Sequence, residues 1–243
     1  MGSDLRIDYG ELTGLVDEGV RQTKQKKKRR ARLRSAPARI ARAALILLAL
    51  AVLPFALLIR GGVFAYQVWG LGTWPALILS ATASAGVLGL YAWVVSRRLG
   101  AGKLARTRFT RAAAAVGIAY VGYALVFVAS ENVKSEEVAQ EFSTVHPLLR
   151  VATSALTLVD PGAVITDAGR TAEDYRLMGL PTNEASLHFE QSSGYVHALD
   201  LRTNGRPEWR NRAVELGFWA LGFHSLRHVG TADHLHISLR LPS

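Results

Sequence analysis

The chain of 243 residues is 49% hydrophobic and carries a net charge of +10 at pH 7. It contains no cysteine, which excludes disulfides, thiolate metal sites and a cysteine nucleophile, so any bound metal must be held by histidine and carboxylate side chains. Of the 29 Lys and Arg residues, 19 precede residue 112, whereas the part after Ser130 carries 14 acidic and 10 basic residues. The basic excess therefore belongs to the first half and does not predict a soluble nucleic-acid-binding domain.

We predict that residues 1–42 form a basic cytoplasmic tail. Lys and Arg dominate the stretch 21–42, which directly precedes the first apolar block. Basic runs beside a membrane span bind anionic lipid headgroups and stay on the cytoplasmic side. A nucleic-acid-binding arm is the alternative, but no aromatic residues are interleaved for base stacking. We therefore expect the lipid bilayer, and not nucleic acid, as the partner of this segment.

Residues 43–130 predict a membrane region with three transmembrane helices. Apolar runs long enough to span a bilayer lie at about 43–59, 75–95 and 112–129. We expect Arg60-Gly61-Gly62 to end the first helix, and residues 63–74 to lie at the headgroup level because they are rich in Trp, Tyr and Gly. The spans contain no Asp, Glu, Lys or His, which favours an anchor over a transporter or channel.

The distribution of basic residues also predicts the orientation. The loop 96–111 carries six Lys and Arg residues and no acid, whereas the loop between the first two spans has only Arg60. By the positive-inside rule, the tail and the loop 96–111 are cytoplasmic. The sequence therefore predicts a multi-pass protein of the cell (inner) membrane with its C-terminal domain in the periplasm or its equivalent.

The remainder predicts a stalk at 131–147 and a small α+β domain with an antiparallel sheet at 148–243. A helix is expected at 148–158, followed by the Asp160-Pro161-Gly162 turn and a short strand at 163–166. Pro207 and Gly222 bracket a second helix. Alternating residues at 223–228 and 234–239 are typical of strands.

Six of the seven histidines lie in this domain between Ser186 and His236. Two imidazoles and one carboxylate make a three-ligand zinc site with a fourth position open to water. Alternate residues of a strand share a face, so His197 and Asp200 should not bind the same metal. His234 and His236 share a face, and either can supply an imidazole. Asp233, three residues before His236, is placed where a carboxylate can accept a proton from water.

The chain resembles a known family at four places. These are the stretch from Ile165 to Thr171, Ser186-Leu-His188, Ala198-Leu-Asp200 and Asp233-His-Leu-His236. In this order they resemble the zinc D-Ala-D-Ala carboxypeptidases and the L-alanyl-D-glutamate endolysins, cell-wall enzymes that share a fold with the Hedgehog signalling domain. The resemblance covers about residues 148–239 and none of the membrane region.

The resemblance implies that His188, Asp200 and His236 bind Zn²⁺ and that Asp233 is the general base. Arg170 is then expected to bind a substrate carbonyl or carboxylate and to stabilise the developing oxyanion. Ser186, His197 and His234 are possible accessory residues.

Three features depart from the family's pattern. Eleven residues separate His188 from Asp200, more than the pattern has, and the motif's glycine falls at Val196 unless Gly194 serves from within the extra residues. The aromatic residue before the motif's arginine is missing, so we expect a different substrate pocket. The extra residues, within 190–195, either loop out without moving a ligand or give His197 a role of its own.

The sequence as a whole predicts a membrane-anchored zinc-dependent peptidase that acts on peptidoglycan stem peptides, as a carboxypeptidase or an endopeptidase. The alternative is a non-catalytic zinc- or peptidoglycan-binding subunit of a membrane assembly.

Overall fold

A computed structural model describes residues 40–230 and 233–242. The chain divides into two compact units, Met1–Ala51 and Val52–Ser243. In the first unit, residues 40–51 are described and are helical. The predicted basic tail lies, apart from residues 40–42, outside the described part of the chain.

Three helices in the described residues are long and apolar enough to cross a membrane, as predicted: α1 (Ile40–Gln67), α2 (Thr73–Arg98) and α3 (Lys103–Val126). The 24 residues of α3, the shortest of the three, extend about 36 Å, which exceeds the hydrocarbon thickness of about 30 Å. Helix α3 begins at Lys103 and not at about residue 112 as predicted, because the basic residues of 103–111 are also helical. Helices α2 and α3 pack along each other.

The expected helix break at Arg60-Gly61-Gly62 is wrong, because α1 continues through these residues to Gln67. Gly62 allows close packing. A Cβ atom at Gly62 would lie 2.5 Å from Leu148 Cδ2 and 2.9 Å from Ser80 Oγ, so only glycine allows this approach. The last turns of α1 are therefore enclosed by α2 and by the domain that follows the spans.

The segment 131–147, predicted as a stalk, packs against the sheet of the domain. It forms a 3₁₀ turn (Ser130–Asn132), the short helix α4 (Glu136–Glu141) and a second 3₁₀ turn (Phe142–Thr144). Val133 forms a parallel bridge with Ile165, and Val145 forms one with Val196. Both valines are buried, so the segment contributes to the core of the domain.

Helix α5 (Pro147–Val159) begins with proline at its first position, where the missing N–H costs no hydrogen bond. Thr171 and Asp174 form a capping box at the start of α6 (Ala172–Leu177). Helix α7 (Glu208–Leu221) ends as predicted at Gly222, which has φ +97°, a conformation that favours glycine. The predicted helices of the domain are thus present.

Four antiparallel strands form one sheet in the order β1-β2-β4-β3. They are β1 (Ile165–Asp167), β2 (Ala198–Arg202), β3 (His224–His228) and β4 (His234–Ser238). Alternate residues of β2 and β4, such as Leu199, Leu201 and Ile237, are buried in the core. The intervening residues, including Asp200 and His236, lie on the opposite face, where the polar site is built.

The core of the domain is continuous with the spans. Leu148 and Leu149 of α5 are fully buried in one hydrophobic cluster with Val63 of α1 and Ala124 of α3. The Tyr120 hydroxyl of α3 donates a hydrogen bond to the Val151 carbonyl at 3.2 Å. Because the same apolar residues serve both parts, the domain is held directly on the spans.

Candidate metal centre

Two of the three predicted ligands meet through the register of the sheet. Asp200 of β2 pairs directly with His236 of β4. Directly opposed residues of an antiparallel pair lie on the same face, so the carboxylate and the imidazole are neighbours. His188 reaches the same point from the loop that precedes β2. The structure therefore brings together three residues that are widely separated in the sequence.

The three side chains form a compact group of donor atoms. His236 Nδ1 lies 2.9 Å from Asp200 Oδ1 and 3.2 Å from His188 Nε2. His188 Nε2 lies 3.3 Å from Asp200 Oδ1. His188 and Asp200 are buried and His236 is half-buried. The predicted ligand set is thus assembled in a largely enclosed position.

These separations fit a metal ion. Two donors of a tetrahedral zinc site with bonds of about 2.0 Å are about 3.3 Å apart. The three observed separations, 2.9, 3.2 and 3.3 Å, are close to that value. Two imidazole nitrogens and one carboxylate oxygen are also ligands that zinc accepts in catalytic sites. The group could therefore hold a metal ion.

Hydrogen bonds around His188 orient its ring. Its Nδ1 lies 3.2 Å from the Ala168 carbonyl, so Nδ1–H donates there and Nε2 is left to face the other two donors. The backbone N–H of Arg170 donates to the His188 carbonyl at 2.8 Å. The Ser186 hydroxyl accepts from the backbone N–H of His188 at 3.3 Å, which gives this predicted accessory residue a positioning contact.

The electrostatics of Asp200 favour the charged carboxylate. Burial alone opposes ionisation, but hydrogen bonds from His188 and His236 outweigh it and hold the pKa of Asp200 well below its usual range. An ionised carboxylate is the form that binds a cation.

His234 lies beside the group but not in it. Its Nε2 is 3.5 Å from Asp200 Oδ2, the oxygen that faces away from the two ligand nitrogens. Its ring stacks on the cross-strand partner His228 at a centroid distance of 4.7 Å. Of the two imidazoles left open by the strand pattern, His236 is therefore the one in the donor group.

Asp233 is engaged by other residues. Its Oδ1 and Oδ2 accept hydrogen bonds from Arg227 Nε at 2.6 Å and Arg227 Nη2 at 2.8 Å. The Thr203 hydroxyl donates to the same Oδ1 at 2.6 Å. Hydrogen bonds from Arg227 and Thr203 lower the pKa of Asp233 to about 2. The carboxylate is therefore charged and doubly held at neutral pH.

Arg170 lies at the edge of the group. Its guanidinium donates through both Nε and Nη2 to Asp167 Oδ2, with the Nε distance 2.9 Å. The same Nη2 is 3.9 Å from Asp200 Oδ2. Asp167 Oδ1 is also 3.8 Å from His188 Nδ1. Asp167 thus links the arginine to the ligand shell.

His197 faces away from the metal group, as strand alternation predicts. Its Nδ1 donates to the Leu239 carbonyl at 3.2 Å. Its Nε2 lies 2.7 Å from the Ser193 hydroxyl and 3.5 Å from the Tyr66 hydroxyl of α1. The residue belongs to the junction between the domain and the spans.

Residues 190–195, between His188 and Asp200, form a tight turn at the same junction. Gln191 and Tyr195 are joined by a backbone hydrogen bond of 3.0 Å, and Gly194 has φ +76°. The Tyr195 ring contacts the His146 ring at 5.7 Å. The turn therefore loops out towards α2, where the Trp74 ring lies 6.5 Å from the Tyr195 ring, and the three donor residues remain together.

The sequence patterns do not indicate four residues that lie near the site: Asp167, Thr203, Arg227 and His228. Asp167 lies three residues before Arg170 in a stretch that the resemblance includes, and that spacing was its only signal. The other three depend on which strands pair, which the sequence does not state.

No protein-family model, curated protein or solved structure matches this chain.

Proposed function

We propose that the chain is a membrane-anchored, zinc-dependent peptidase that acts on the stem peptides of peptidoglycan. The observation that carries the proposal is the donor group of His188, Asp200 and His236, whose ligand atoms lie 2.9–3.3 Å apart. The resemblance of the surrounding motifs to cell-wall peptidases supports the substrate class.

The donor chemistry favours zinc. Two imidazoles and a single carboxylate are borderline ligands that suit zinc better than Mg²⁺ or Ca²⁺, which prefer oxygen. When bound, zinc supplies a Lewis acid that polarises a peptide carbonyl and acidifies a water molecule. His188 and His236 would hold it through imidazole nitrogens, and Asp200 would contribute the negative charge.

Arg170 is the proposed substrate-binding residue. Its guanidinium is one of the charged groups at the edge of the donor group, and it is oriented by Asp167 at 2.9 Å. A guanidinium can bind a carboxylate or a carbonyl oxygen of the peptide through two N–H groups. Binding there places the scissile carbonyl beside the donor group.

Asp233 is the proposed proton acceptor, and His234 is its competitor. An acid–base group works best when its pKa lies near the operating pH, whereas the pKa of Asp233 is lowered to about 2. The peptidase mechanism therefore requires that substrate binding loosens the Arg227–Asp233 pair. His234 is the competitor because it shares the face of His236 and its Nε2 lies 3.5 Å from Asp200 Oδ2.

The basic residues of 21–42 and 97–111 support a cytoplasmic N-terminus. The domain then lies outside the cytoplasm, where peptidoglycan is found. Three spans without internal acidic residues serve as an anchor.

The non-catalytic alternative is favoured by the Arg227–Asp233 ion pair. A carboxylate held by two short hydrogen bonds from one guanidinium is a structural element more than a poised base. In that case the domain binds zinc or peptidoglycan as a subunit of a membrane assembly.

The test is release of D-alanine or of a shortened stem peptide from purified peptidoglycan fragments by the full-length chain in detergent. The full chain is required because α5 packs on α2 and α3. We expect cleavage that EDTA abolishes. Asp233→Asn should lower the rate by about 10²- to 10⁴-fold while zinc content is kept.

Two controls sharpen the result. Glu184→Gln changes an exposed carboxylate in the same domain and should leave the rate unchanged. His234→Ala should have a milder effect than Asp233→Asn, and the reverse order would make His234 the proton acceptor. No cleavage of any wall peptide by a zinc-loaded chain would favour the non-catalytic subunit, and cleavage that survives EDTA would exclude a zinc enzyme.

A further inference from the structure

A cavity lies away from the metal group, between the spans and the domain. Its volume is about 740 Å³, within the range of about 300–1,000 Å³ that is usual for small-molecule sites. The spans contribute Phe55 of α1 and Tyr120 of α3. The domain contributes residues of α5 and α7, among them Leu156, Val214 and Phe218. We call this cavity the α5–α7 groove.

The groove is continuous with surfaces that face lipid. Phe55 and Tyr120 belong to two of the three helices that can cross a membrane. Its other wall ends in Leu158 and Val159, which are exposed at the end of α5. The cavity therefore opens on one side to the spans and on the other to an exposed apolar helix end. An apolar cavity of this kind is accessible to the acyl chains of a bilayer.

The outward side of α7 has the composition of a membrane interface. Trp209, Leu216 and Trp219 are exposed by 68%, 61% and 67%. Trp209 and Leu216 are seven residues apart and therefore on one side of the helix, opposite the buried Phe218. The exposed Glu208 and Arg212 lie beside these apolar side chains. Tryptophans mixed with charged residues are typical of a helix at the headgroup level.

A cation stands at the rim of the groove. The Arg210 guanidinium lies over the Trp209 ring at 5.5 Å from its centroid. Its nearest carboxylate, Asp160, is 3.9 Å away and is already bound by Arg206. The half-exposed Arg210 is therefore available for a phosphate, which guanidinium groups bind with good geometry.

From these contacts we propose that the α5–α7 groove binds a glycerophospholipid of the surrounding bilayer, with an acyl chain inside the groove and the headgroup phosphate at Arg210. The walls are mostly apolar, which favours an acyl chain over a polar ligand. The tryptophans of α7 place the rim of the groove at the depth of the headgroups. The phosphate of one lipid then lies at Arg210, and its acyl chain lies in the apolar interior of the groove.

The test uses the full-length chain in phospholipid nanodiscs that contain phosphatidylglycerol with a photoactivatable group in its acyl chain. Cross-linked peptides are then mapped by mass spectrometry. We expect labelling concentrated on residues 152–162 and 209–221. Gly217→Leu should reduce it severalfold, because Gly217 lines the groove and an added Cβ there meets no atom within 4 Å. Leucine also has the higher helix propensity, so the fold is kept.

The matched control is Gly86→Leu on α2, where an added Cβ likewise meets no atom within 4 Å but the groove is not involved. Arg210→Gln is a second variant that leaves the groove open and should also lower the labelling. The proposal is overturned if labelling is spread evenly over all spans, if both Gly217→Leu and Arg210→Gln leave it unchanged, or if Gly86→Leu reduces it equally.

Discussion

Replacing His236 by alanine removes one of the three donor atoms at the metal centre. Loss of a hydrogen bond to a metal ligand weakens metal binding by about 10- to 100-fold, so loss of a ligand should weaken it by at least about 100-fold. At zinc equal to about 100 times the wild-type Kd, the wild type gains about 2.7 kcal/mol in the free energy of unfolding, and a variant weakened 100-fold gains about 0.4 kcal/mol. The difference, about 2.3 kcal/mol, corresponds to about 5–9 °C in Tm for a chain of this size.

The assay measures Tm of the purified full-length chain with EDTA and with zinc, together with zinc content by mass spectrometry. We expect one zinc per chain in the wild type and a zinc-induced rise in Tm that His236→Ala loses. His234→Ala is the matched control, because it removes an imidazole from the same strand and face. Equal Tm values in EDTA show that the variants fold. A zinc-dependent rise that survives His236→Ala but is lost in His234→Ala would refute the ligand assignment.

Burial lowers the pKa of His146 to about 3, with a further contribution from His197. The pKa of a histidine in the unfolded chain is near 6.5, so the free energy of unfolding should fall as the pH drops from 6.5 towards 3, by up to about 1.4 kcal/mol per pH unit. Urea titrations at several pH values measure this dependence. The free energy of unfolding of His146→Gln should depend less steeply on pH. Gly62→Ala should cost about 1–3 kcal/mol in the same titrations, because its Cβ meets Leu148 Cδ2 at 2.5 Å, whereas Gly61→Ala, whose nearest neighbour lies at 3.9 Å, should cost nothing. A reporter active only in the cytosol, fused after residue 243, should be silent, and an active fusion would contradict the proposed orientation.

The spans and the strands could be predicted because each depends on local patterning. A long apolar run needs a bilayer or a core whatever follows it, and strand alternation places Asp200 and His197 on opposite faces without further information. The end of α1 could not be predicted in the same way. Gly61-Gly62 resembles a helix break, but Leu148, distant in the sequence, packs closely against Gly62, so glycine serves this contact within a continuous helix.

The metal ligands could be predicted only in part. Spacing left His234 and His236 equivalent, and the pairing of Asp200 with His236 distinguishes them. The Arg227–Asp233 ion pair depends on the pairing of β3 with β4, so no property of either residue alone indicates it. A motif match gives Asp233 a role by position, whereas the surrounding guanidinium sets how basic the carboxylate is.

Two buried histidines at the junction restrict the movement of the domain relative to the spans. His146 Nε2 lies 3.0 Å from the Thr73 hydroxyl at the start of α2, and its Nδ1 accepts from the Leu148 N–H, while His197 reaches Tyr66 of α1. Breaking these contacts would leave polar groups buried without partners. The domain therefore does not move freely relative to the spans, and the fold sets its distance from the membrane. For the proposed peptidase, this means that wall peptides close to the bilayer are cleaved and distant ones are not.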